Sequence, residues 1–135
     1  LDRMTHDQHD KFVLFYQGWA KGLSMQEYAE TMHNTKVALC PKGYTSSETF
    51  RYFEAAKAGC VIISEPKPNV WFYEDAPHIE IKDWLELPSI LPDILQDESL
   101  LLHHHDLTKK WWNEKCSPKA VGQYITKELN KIGYK

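Results

Sequence analysis

The run at 60–64, "CVIIS", constrains the fold of this chain more than any other stretch. Three branched apolar residues follow one another without polar alternation, whereas a strand with one face in water alternates at every second position. Such a run is typical of a parallel strand that is covered on both faces, and helices supply the covers. The sequence therefore predicts an α/β fold with a buried strand near the middle of the chain.

Segments with helical and strand-like patterns alternate on both sides of this run. Ser24 and Glu27 form a capping box at the start of an amphipathic helix. The order of elements predicts a Rossmann-like, mainly parallel sheet flanked by helices, with further helices at the C-terminal end. The other predicted strands are at 12–16, 36–40 and 78–81, and the other predicted helices are at 48–58, at 83–96, after Asp97 or Ser99, and after Ser117.

The helix predicted at 48–58 ends at Gly59, a residue type that commonly follows the last turn of a helix. Its apolar positions Phe50, Phe53 and Ala56 are expected to pack on the sheet. These positions would cover one face of the central strand.

Two prolines, Pro88 and Pro92, fall within the helix predicted at 83–96. Because proline lacks a backbone donor, both are expected to break or restart that helix. Ser117 followed by Pro118 predicts an N-cap and the first position of the last helix.

Two conspicuous groups of side chains are better explained by helix packing than by chemistry. Consecutive helical residues point about 100° apart, so His103, His104 and His105 cannot all bind one ion. We expect them on a partly exposed helix face, with weak adventitious metal binding as the alternative. Of the adjacent Trp111 and Trp112, one is expected to pack inward and the other against a neighbouring helix or an absent domain.

Composition and charge restrict the classes of protein. With 135 residues, 42% of them hydrophobic and 13% aromatic, the chain is expected to form a single domain over 1–135. A net charge of −3 without basic blocks argues against a nucleic-acid partner. Three cysteines without a CxxC pair, and no signal sequence or membrane span, predict a cytoplasmic protein with reduced thiols. The sequence begins at Leu1, and we expect it to be a piece of a longer chain.

The loop at 41–47, "PKGYTSS", leaves the carboxyl end of a predicted strand and leads into a helix near Ser47. Ligands of open α/β sheets bind at this edge, and the start of a helix attracts anions. Gly43 allows close backbone approach, and Thr45, Ser46 and Ser47 add hydroxyl donors. The pattern predicts an anion site, and the alternative is that Ser46 and Ser47 only cap the helix.

Glu54 lies about two turns into the predicted helix. A carboxylate beside the helix start can accept two hydrogen bonds from the hydroxyls of a ribose, as acidic residues do in dinucleotide folds. The alternative is a solvated glutamate that pairs with Arg51 or Lys57 at helical spacing.

The residues at 35–64, "TKVALCPKGYTSSETFRYFEAAKAGCVIIS", resemble the donor-binding region of GT-B-type glycosyltransferases and are most similar to the exostosin-like pattern. The shared features are Cys-Pro-x-Gly, a Ser/Thr loop, a helix with an arginine, Glu-Ala, Gly-Cys and a Val/Ile strand. Two later segments, "LPSILPDILQDESLL" and "SPKAVGQYITKEL", resemble the terminal helices of group 1 glycosyltransferases. The resemblance implies the C-terminal half-domain of such an enzyme.

The family resemblance implies that the substrate is a nucleotide sugar, and UDP is the first nucleotide to consider. It also implies that no metal or other cofactor is needed. By resemblance to that family, Glu54 matches the glutamate that holds the ribose, and Ser46 and Ser47 match the diphosphate loop. Lys42 or Arg51 is the candidate catalytic residue that stabilises the diphosphate charge. Retaining group 1 enzymes carry a second glutamate at the position of Ser46, so retention or inversion stays open. The predicted substrate-binding residues are Gly43, Tyr44, Thr45, Ser46, Ser47, Arg51 and Glu54.

The resemblance also implies partners outside this sequence. In GT-B enzymes the N-terminal domain contributes the catalytic base and the site of the acceptor, here a glycan or another molecule. We therefore expect residues 1–135 alone to bind a donor without transferring sugar, and to self-associate as a homodimer. The alternative is a flavodoxin-like regulatory or interaction domain without catalysis. Receivers of that kind need an acidic cluster after the first strand, where this chain has Gln17, Gly18 and Trp19.

Overall fold

The computed structural model describes residues 22–134, so the strand predicted at 12–16 lies outside the described residues. The chain divides into two units, Leu1–Thr31 and Met32–Lys135.

Helix α1 (Met25–His33) begins in the first unit at the predicted capping box. Ser24 N donates to Glu27 Oε2 at 2.8 Å, and Glu27 N donates to Ser24 Oγ at 3.3 Å. These two bonds give partners to backbone donors that the helix itself leaves unpaired. The predicted helix start is confirmed.

The second unit is built on a small parallel sheet. Val37 pairs with Val61, and Ile63 pairs with Ile79. The three strands predicted after residue 35, and the α/β class, are confirmed for the described residues. The strands lie side by side in chain order and are β1 (Val37–Leu39), β2 (Val61–Ser64) and β3 (Ile79–Glu80).

Helices flank this sheet. Because β1 and β2 are parallel, the chain must cross back between them, and helix α2 makes that connection. None of the helices within residues 22–134 is both long enough and apolar enough to cross a membrane. The helices are α2 (Phe50–Ala58), α3 (Leu87–Gln96), α4 (Glu98–Trp111) and α5 (Pro118–Lys131), with 3-10 turns at Trp71–Tyr73 and Trp84–Glu86 and a π turn at Trp112–Cys116.

Strand β2 is buried along its whole length. The side chain of Ile62 belongs to a cluster with Tyr52 of α2 and Trp111 of α4. The side chain of Ile63 belongs to a second cluster, with Ile94 of α3. Alternate side chains of a strand point to opposite faces, so apolar side chains cover this strand on both sides. The prediction of a strand buried on both faces is confirmed.

Helix α2 begins later than predicted and presents a different face. Its N-cap is Thr49, and Phe50 is 87% exposed, so the prediction that Phe50 packs on the sheet is wrong. Two apolar stripes overlap in this helix. The stripe that contains Tyr52 is the buried one. The hydroxyl of Tyr52 forms a hydrogen bond with His78 Nδ1 at 2.9 Å, which gives the buried ring a polar partner. The buried side chains of α2 are Tyr52, Ala55 and Ala56, and the partly buried Phe53 packs against the same cluster.

Gly59 ends α2 as predicted. Its φ of 80° lies in the left-handed region, which glycine adopts without the steric cost that other residues meet. A Cβ atom at this position would also lie 2.7 Å from His105 Cε1. His105 Nδ1 is 2.7 Å from the Gly59 carbonyl oxygen, so α4 packs directly on this turn.

The two prolines of α3 differ in their effect. Pro88 lies in the first turn, where a backbone N–H is unpaired in any helix, and α3 starts there after a 3-10 turn. Pro92 lies inside the helix, which continues to Gln96, so the prediction that Pro92 interrupts it is wrong. Proline removes only one helical hydrogen bond, and Ile94 beyond it is anchored in the second apolar cluster.

The last two helices start at side-chain caps. Asp97 Oδ1 accepts a hydrogen bond from Leu100 N at 2.9 Å, so Asp97 caps α4 and Ser99 does not. Ser117 Oγ accepts a hydrogen bond from Ala120 N at 3.2 Å at the start of α5. The N-cap predicted at Ser117 is confirmed.

The two ends of the C-terminal helical region differ in burial. Trp111 at the end of α4 is 3% exposed, which confirms that one tryptophan of the pair packs inward, and the neighbouring Trp112 is partly buried against the same core. Helix α5 has no buried residue. Its apolar stripe is 39–51% exposed and consists of Val121, Tyr124, Ile125 and Leu129.

Replacing Ile62 with alanine should lower the free energy of unfolding by about 2–5 kcal/mol, because it leaves a cavity in the cluster of Tyr52 and Trp111. Urea denaturation followed by tryptophan fluorescence measures the change. Val121→Ala, on the exposed face of α5, is the control and should change stability by less than about 0.5 kcal/mol. Equal denaturation midpoints for Ile62→Ala and the parent chain would contradict the buried strand.

Gly59→Ala should destabilise the chain by at least about 1–2 kcal/mol, because an alanine in the left-handed region is strained and its methyl group meets His105. The double variant Gly59→Ala, His105→Ala removes the obstructing ring. It should therefore lose less stability than the two single variants together. Strictly additive losses in denaturation would show that His105 is not what opposes a Cβ atom here.

Candidate functional site

Three loops leave the carboxyl edge of the sheet, the side at which its parallel strands end. The first loop (40–49) follows β1, the second loop (65–70) follows β2, and the third loop (81–83) follows β3. Since parallel strands end at a common edge, these loops are brought together there. This is the place in such sheets where ligands bind.

The carboxylate of Glu65 ties the three loops to one another. Glu65 is the first residue of the second loop, and its Oε2 accepts a hydrogen bond from Lys42 N of the first loop at 2.8 Å. Its Oε1 accepts a hydrogen bond from Trp84 Nε1, just beyond the third loop, at 2.6 Å. Both oxygens of one side chain therefore fix the spacing of the loops.

Glu65 is held in its ionised form. Desolvation alone would raise the pKa of Glu65, but the hydrogen bond from Trp84 and the backbone donors of Glu65 and Lys42 outweigh it and lower the pKa below its ordinary value. A carboxylate that accepts several hydrogen bonds is favoured over the neutral acid. The negative charge of Glu65 is thus part of the folded structure.

The first loop folds back on itself before α2 begins. Gly43 N donates to Ser46 O at 2.8 Å, and Glu48 N donates to Ser46 Oγ at 3.0 Å. The cap position of α2 is Thr49, whose side chain makes no capping hydrogen bond. The alternative that Ser46 and Ser47 serve to cap the helix is therefore wrong, since their positions lie before the cap.

Lys67 of the second loop reaches across to the first loop. Its Nζ donates to Ser47 O at 2.6 Å and lies 4.5 Å from the centre of the Tyr52 ring. The side chain is half-buried, and desolvation lowers the pKa of Lys67. An ammonium group therefore lies among the loops, above the aromatic ring of α2.

An aromatic layer supports the first loop from below. Tyr73 OH donates to Glu48 Oε1 at 2.6 Å. The rings of Tyr52 and Tyr73 meet edge to face at 6.3 Å, and Tyr52 meets Trp111 in the same way at 5.9 Å. Burial raises the pKa of both tyrosines, which keeps their hydroxyls neutral and able to donate.

The predicted site residues fall into two groups. The turn of the first loop brings the stretch from Gly43 to Ser47 together, with Tyr44 fully exposed at its tip. Arg51 and Glu54 lie on the exposed side of α2, next to Phe50. Because α2 starts at Phe50, Glu54 is its fifth residue and lies about one turn from the helix start, not two.

Sequence reasoning missed Glu65 and Lys67. Both belong to "EPKP", which directly follows the central strand and reaches the same edge of the sheet as the first loop. The rule that pointed to the first loop also applies to this stretch, but the stretch has no glycine and no hydroxyl side chain that would indicate an anion site. Thr49, at the junction of the first loop and α2, was likewise overlooked.

The described residues offer no metal centre and no reactive thiol. Within 22–134, no group of three or more His, Cys, Asp or Glu side chains is arranged to hold an ion. His104 Nδ1 lies 3.0 Å from Pro77 O, and His105 likewise faces a backbone oxygen. Burial raises the pKa of the Cys40 thiol to about 12 and that of Cys60 to about 11, so both stay protonated as core residues.

The second unit is an α/β domain with a small parallel sheet, and lysine and glutamate side chains link the loops at its carboxyl edge. Comparison of the sequence with protein-family models and with curated proteins, and of the fold with solved structures, gives no match. The function must therefore be argued from the site itself.

Glu65→Gln should lower stability at pH 7 by about 1–3 kcal/mol, because two donors lose a charged acceptor. The sign of the pH effect follows from the lowered pKa. Ionised Glu65 contributes stability above the ordinary pKa near 4.5, and this contribution is lost as the pH falls through the lower folded value. Urea denaturation between pH 7 and 3 should therefore show a smaller acid loss in Glu65→Gln than in the parent chain.

The exposed Glu74 supplies the matched control for this experiment. The free energy of unfolding of Glu74→Gln should change with pH as that of the parent chain does. If Glu65→Gln lost as much stability as the parent chain between pH 7 and pH 3, Glu65 would not be the carboxylate that links the loops.

Proposed function

We propose that this chain is the donor-binding domain of a glycosyltransferase, exostosin-like and of the GT-B class, with a Rossmann-like sheet. The observation that carries this proposal is the first loop. It leaves the carboxyl end of β1, turns between Gly43 and Ser46, accepts a hydrogen bond from Lys67 Nζ at Ser47 O, and meets α2 at Thr49. A loop with exposed hydroxyls at this position suits a phosphorylated ligand. The resemblance at 35–64 points to the same ligand, a nucleotide sugar.

The chemistry of glycosyl transfer explains why such a loop is useful. The bond between the sugar and the diphosphate breaks, and the departing nucleoside diphosphate takes the electron pair and gains negative charge. Donors fixed around that charge lower the barrier. Ser46 and Ser47 would supply hydroxyl and backbone donors, and Lys42 or Arg51 would supply positive charge without a metal.

The nucleoside part of the donor would contact the exposed side of the same region. Glu54, one turn into α2, would accept hydrogen bonds from the ribose hydroxyls. Tyr44 at the tip of the first loop would stack on the base, and Thr45 next to it would add a hydroxyl. UDP is the nucleotide that we propose first.

Sugar transfer also needs an acceptor and a base. We infer that both belong to a separate N-terminal domain, as in GT-B enzymes, with a glycan as the acceptor. The exposed apolar stripe of α5, which includes Tyr124 and Ile125, suits a contact with that domain or with a second copy of this chain.

Isothermal titration of the 135-residue chain with UDP, GDP, ADP and inorganic phosphate tests the proposal. Binding of one nucleotide well above phosphate supports a donor site. Binding of none of the four would contradict it and would favour the alternative of an interaction domain without catalysis.

Glu54→Ala should weaken nucleotide binding by about 1–3 kcal/mol, because the ribose hydroxyls lose a charged acceptor. Titration with UDP and with inorganic pyrophosphate separates the ribose contact from the phosphate contacts. Only the affinity for UDP should fall. Glu74→Ala, which removes an exposed glutamate outside the first loop and α2, is the control. Unchanged UDP affinity in Glu54→Ala would remove Glu54 from the site.

A further inference from the structure

No carboxylate among the described residues lies within salt-bridge distance of the Lys67 ammonium. Its Nζ donates to the carbonyl oxygen of Ser47 at 2.6 Å and lies 4.5 Å from the centre of the Tyr52 ring. Among the described residues, the salt bridge within 4 Å joins Lys131 to Glu128, at the far end of α5. A half-buried ammonium without a counter-ion is costly, because burial removes water that would otherwise solvate the charge.

The two carboxylates that influence Lys67 are already used by other donors. Glu65 and Glu48 are the acidic residues whose charges raise the pKa of Lys67 against its desolvation. Glu65 accepts from Lys42 N and from Trp84, and Glu48 accepts from the hydroxyl of Tyr73. Both are therefore held by partners other than Lys67, and the ammonium is left to a backbone carbonyl.

The side chain of Thr49, two residues after the Ser47 carbonyl that binds Lys67, lacks a hydrogen-bond partner among the described residues. Within the described residues, the buried hydroxyl oxygen of Thr49 has no hydrogen-bond partner. Thr49 lies two residues after Ser47, and the turn at Gly43 packs on its side chain, since a Cβ atom at Gly43 would lie 3.4 Å from Thr49 Cγ2. A buried hydroxyl without a partner is unfavourable, and a ligand oxygen that accepts its hydrogen would relieve that cost.

We propose that Lys67 is the residue that binds the diphosphate of the ligand, and that its bond to the Ser47 carbonyl holds the ammonium in place until the anion arrives. This inference rests on the proposed function and deepens it, because it adds Lys67 to the cations proposed for the site. Lys42 and Arg51, the cations that the sequence suggests, are both exposed, whereas Lys67 is half-buried and bonded to the first loop.

Binding of the anion gives each of these groups a better partner. A diphosphate oxygen replaces the Ser47 carbonyl as the acceptor for Lys67, which turns a bond to a neutral group into a charge-assisted one. The hydroxyl of Thr49 lies at the start of α2, where backbone donors also face an incoming anion. The turn at 43–46 and the linkage through Glu65 keep the loops in place during this exchange.

Isothermal titration of the full chain with UDP, uridine and inorganic pyrophosphate tests the role of Lys67. Lys67→Gln should lower the affinity for UDP and for pyrophosphate about tenfold or more and leave uridine affinity unchanged. Lys67→Arg, which keeps the charge, should restore most of the loss. Lys82→Gln is the matched control, because Lys82 is exposed in the third loop at the same edge of the sheet.

The outcomes separate this inference from the proposed function. UDP binding that Lys67→Gln leaves unchanged would overturn the assignment of Lys67 and leave the donor site standing. Pyrophosphate binding that depends on Lys67, without any preference for UDP, would support Lys67 and overturn the donor site. A parent chain that binds neither UDP nor pyrophosphate would overturn both.

Amine labelling of the unmodified chain gives a second readout that does not depend on how a variant folds. The Lys67 amine should be protected from an acylating reagent by pyrophosphate, as measured by mass spectrometry, while Lys82 should be labelled equally with and without it. Equal labelling of Lys67 under both conditions would contradict direct contact with the anion.

Discussion

Strand β2 has no face in water, and this constraint organises the rest of the described structure. Ile62 and Ile63 point into two different apolar clusters, so helices must cover the sheet on both sides. Polar side chains can then be accommodated on this strand only at its end. Ser64 is fully buried there and donates to Cys40 O at 2.9 Å, which joins the ends of β2 and β1. Glu65 follows as the first charge outside the core.

The position of Glu65 decides how charge is distributed at that edge. With both oxygens engaged by Lys42 N and Trp84 Nε1, Glu65 acts as a linker between loops and not as a counter-ion. Lys67, two residues further on, is left with the Ser47 carbonyl and an aromatic ring. The edge therefore combines loops that Glu65 links with a half-buried ammonium that makes no salt bridge among the described residues. That combination is the basis on which we propose the recognition of an anion at this edge.

The sequence predicted those features that depend on neighbours in the chain. The buried strand, the capping box at Ser24, the glycine that ends α2 and the cap at Ser117 each follow from a few consecutive residues, and all are confirmed. The face of α2 could not be predicted in this way. Two apolar stripes fit the helix, and contacts of Tyr52 with residues distant in sequence select between them.

The charged groups of the site escaped prediction for a related reason. The hydrogen bonds of Glu65 and Lys67 to the first loop join residues that are 23 and 20 positions apart. Nothing local in "EPKP" shows which donor or acceptor each charge will meet. The sequence identified the first loop because its glycine and hydroxyls are informative by themselves, whereas the partners of Glu65 and Lys67 are set by strand pairing. The assigned roles of Glu54 and Arg51 stay predictions.

Helix α5 packs on the rest of the second unit without burying any of its side chains, and this makes it a candidate for independent local unfolding. Tyr124 stacks on Trp71 with ring centres 4.4 Å apart, and Lys115 of the preceding π turn covers the same indole at 4.0 Å. No side chain of α5 is buried, whereas β2 is wholly enclosed. Elements with so little buried apolar surface open at a small fraction of the global unfolding free energy. Fluctuations that release the C-terminal turns of the chain would thus leave the sheet and its carboxyl edge intact.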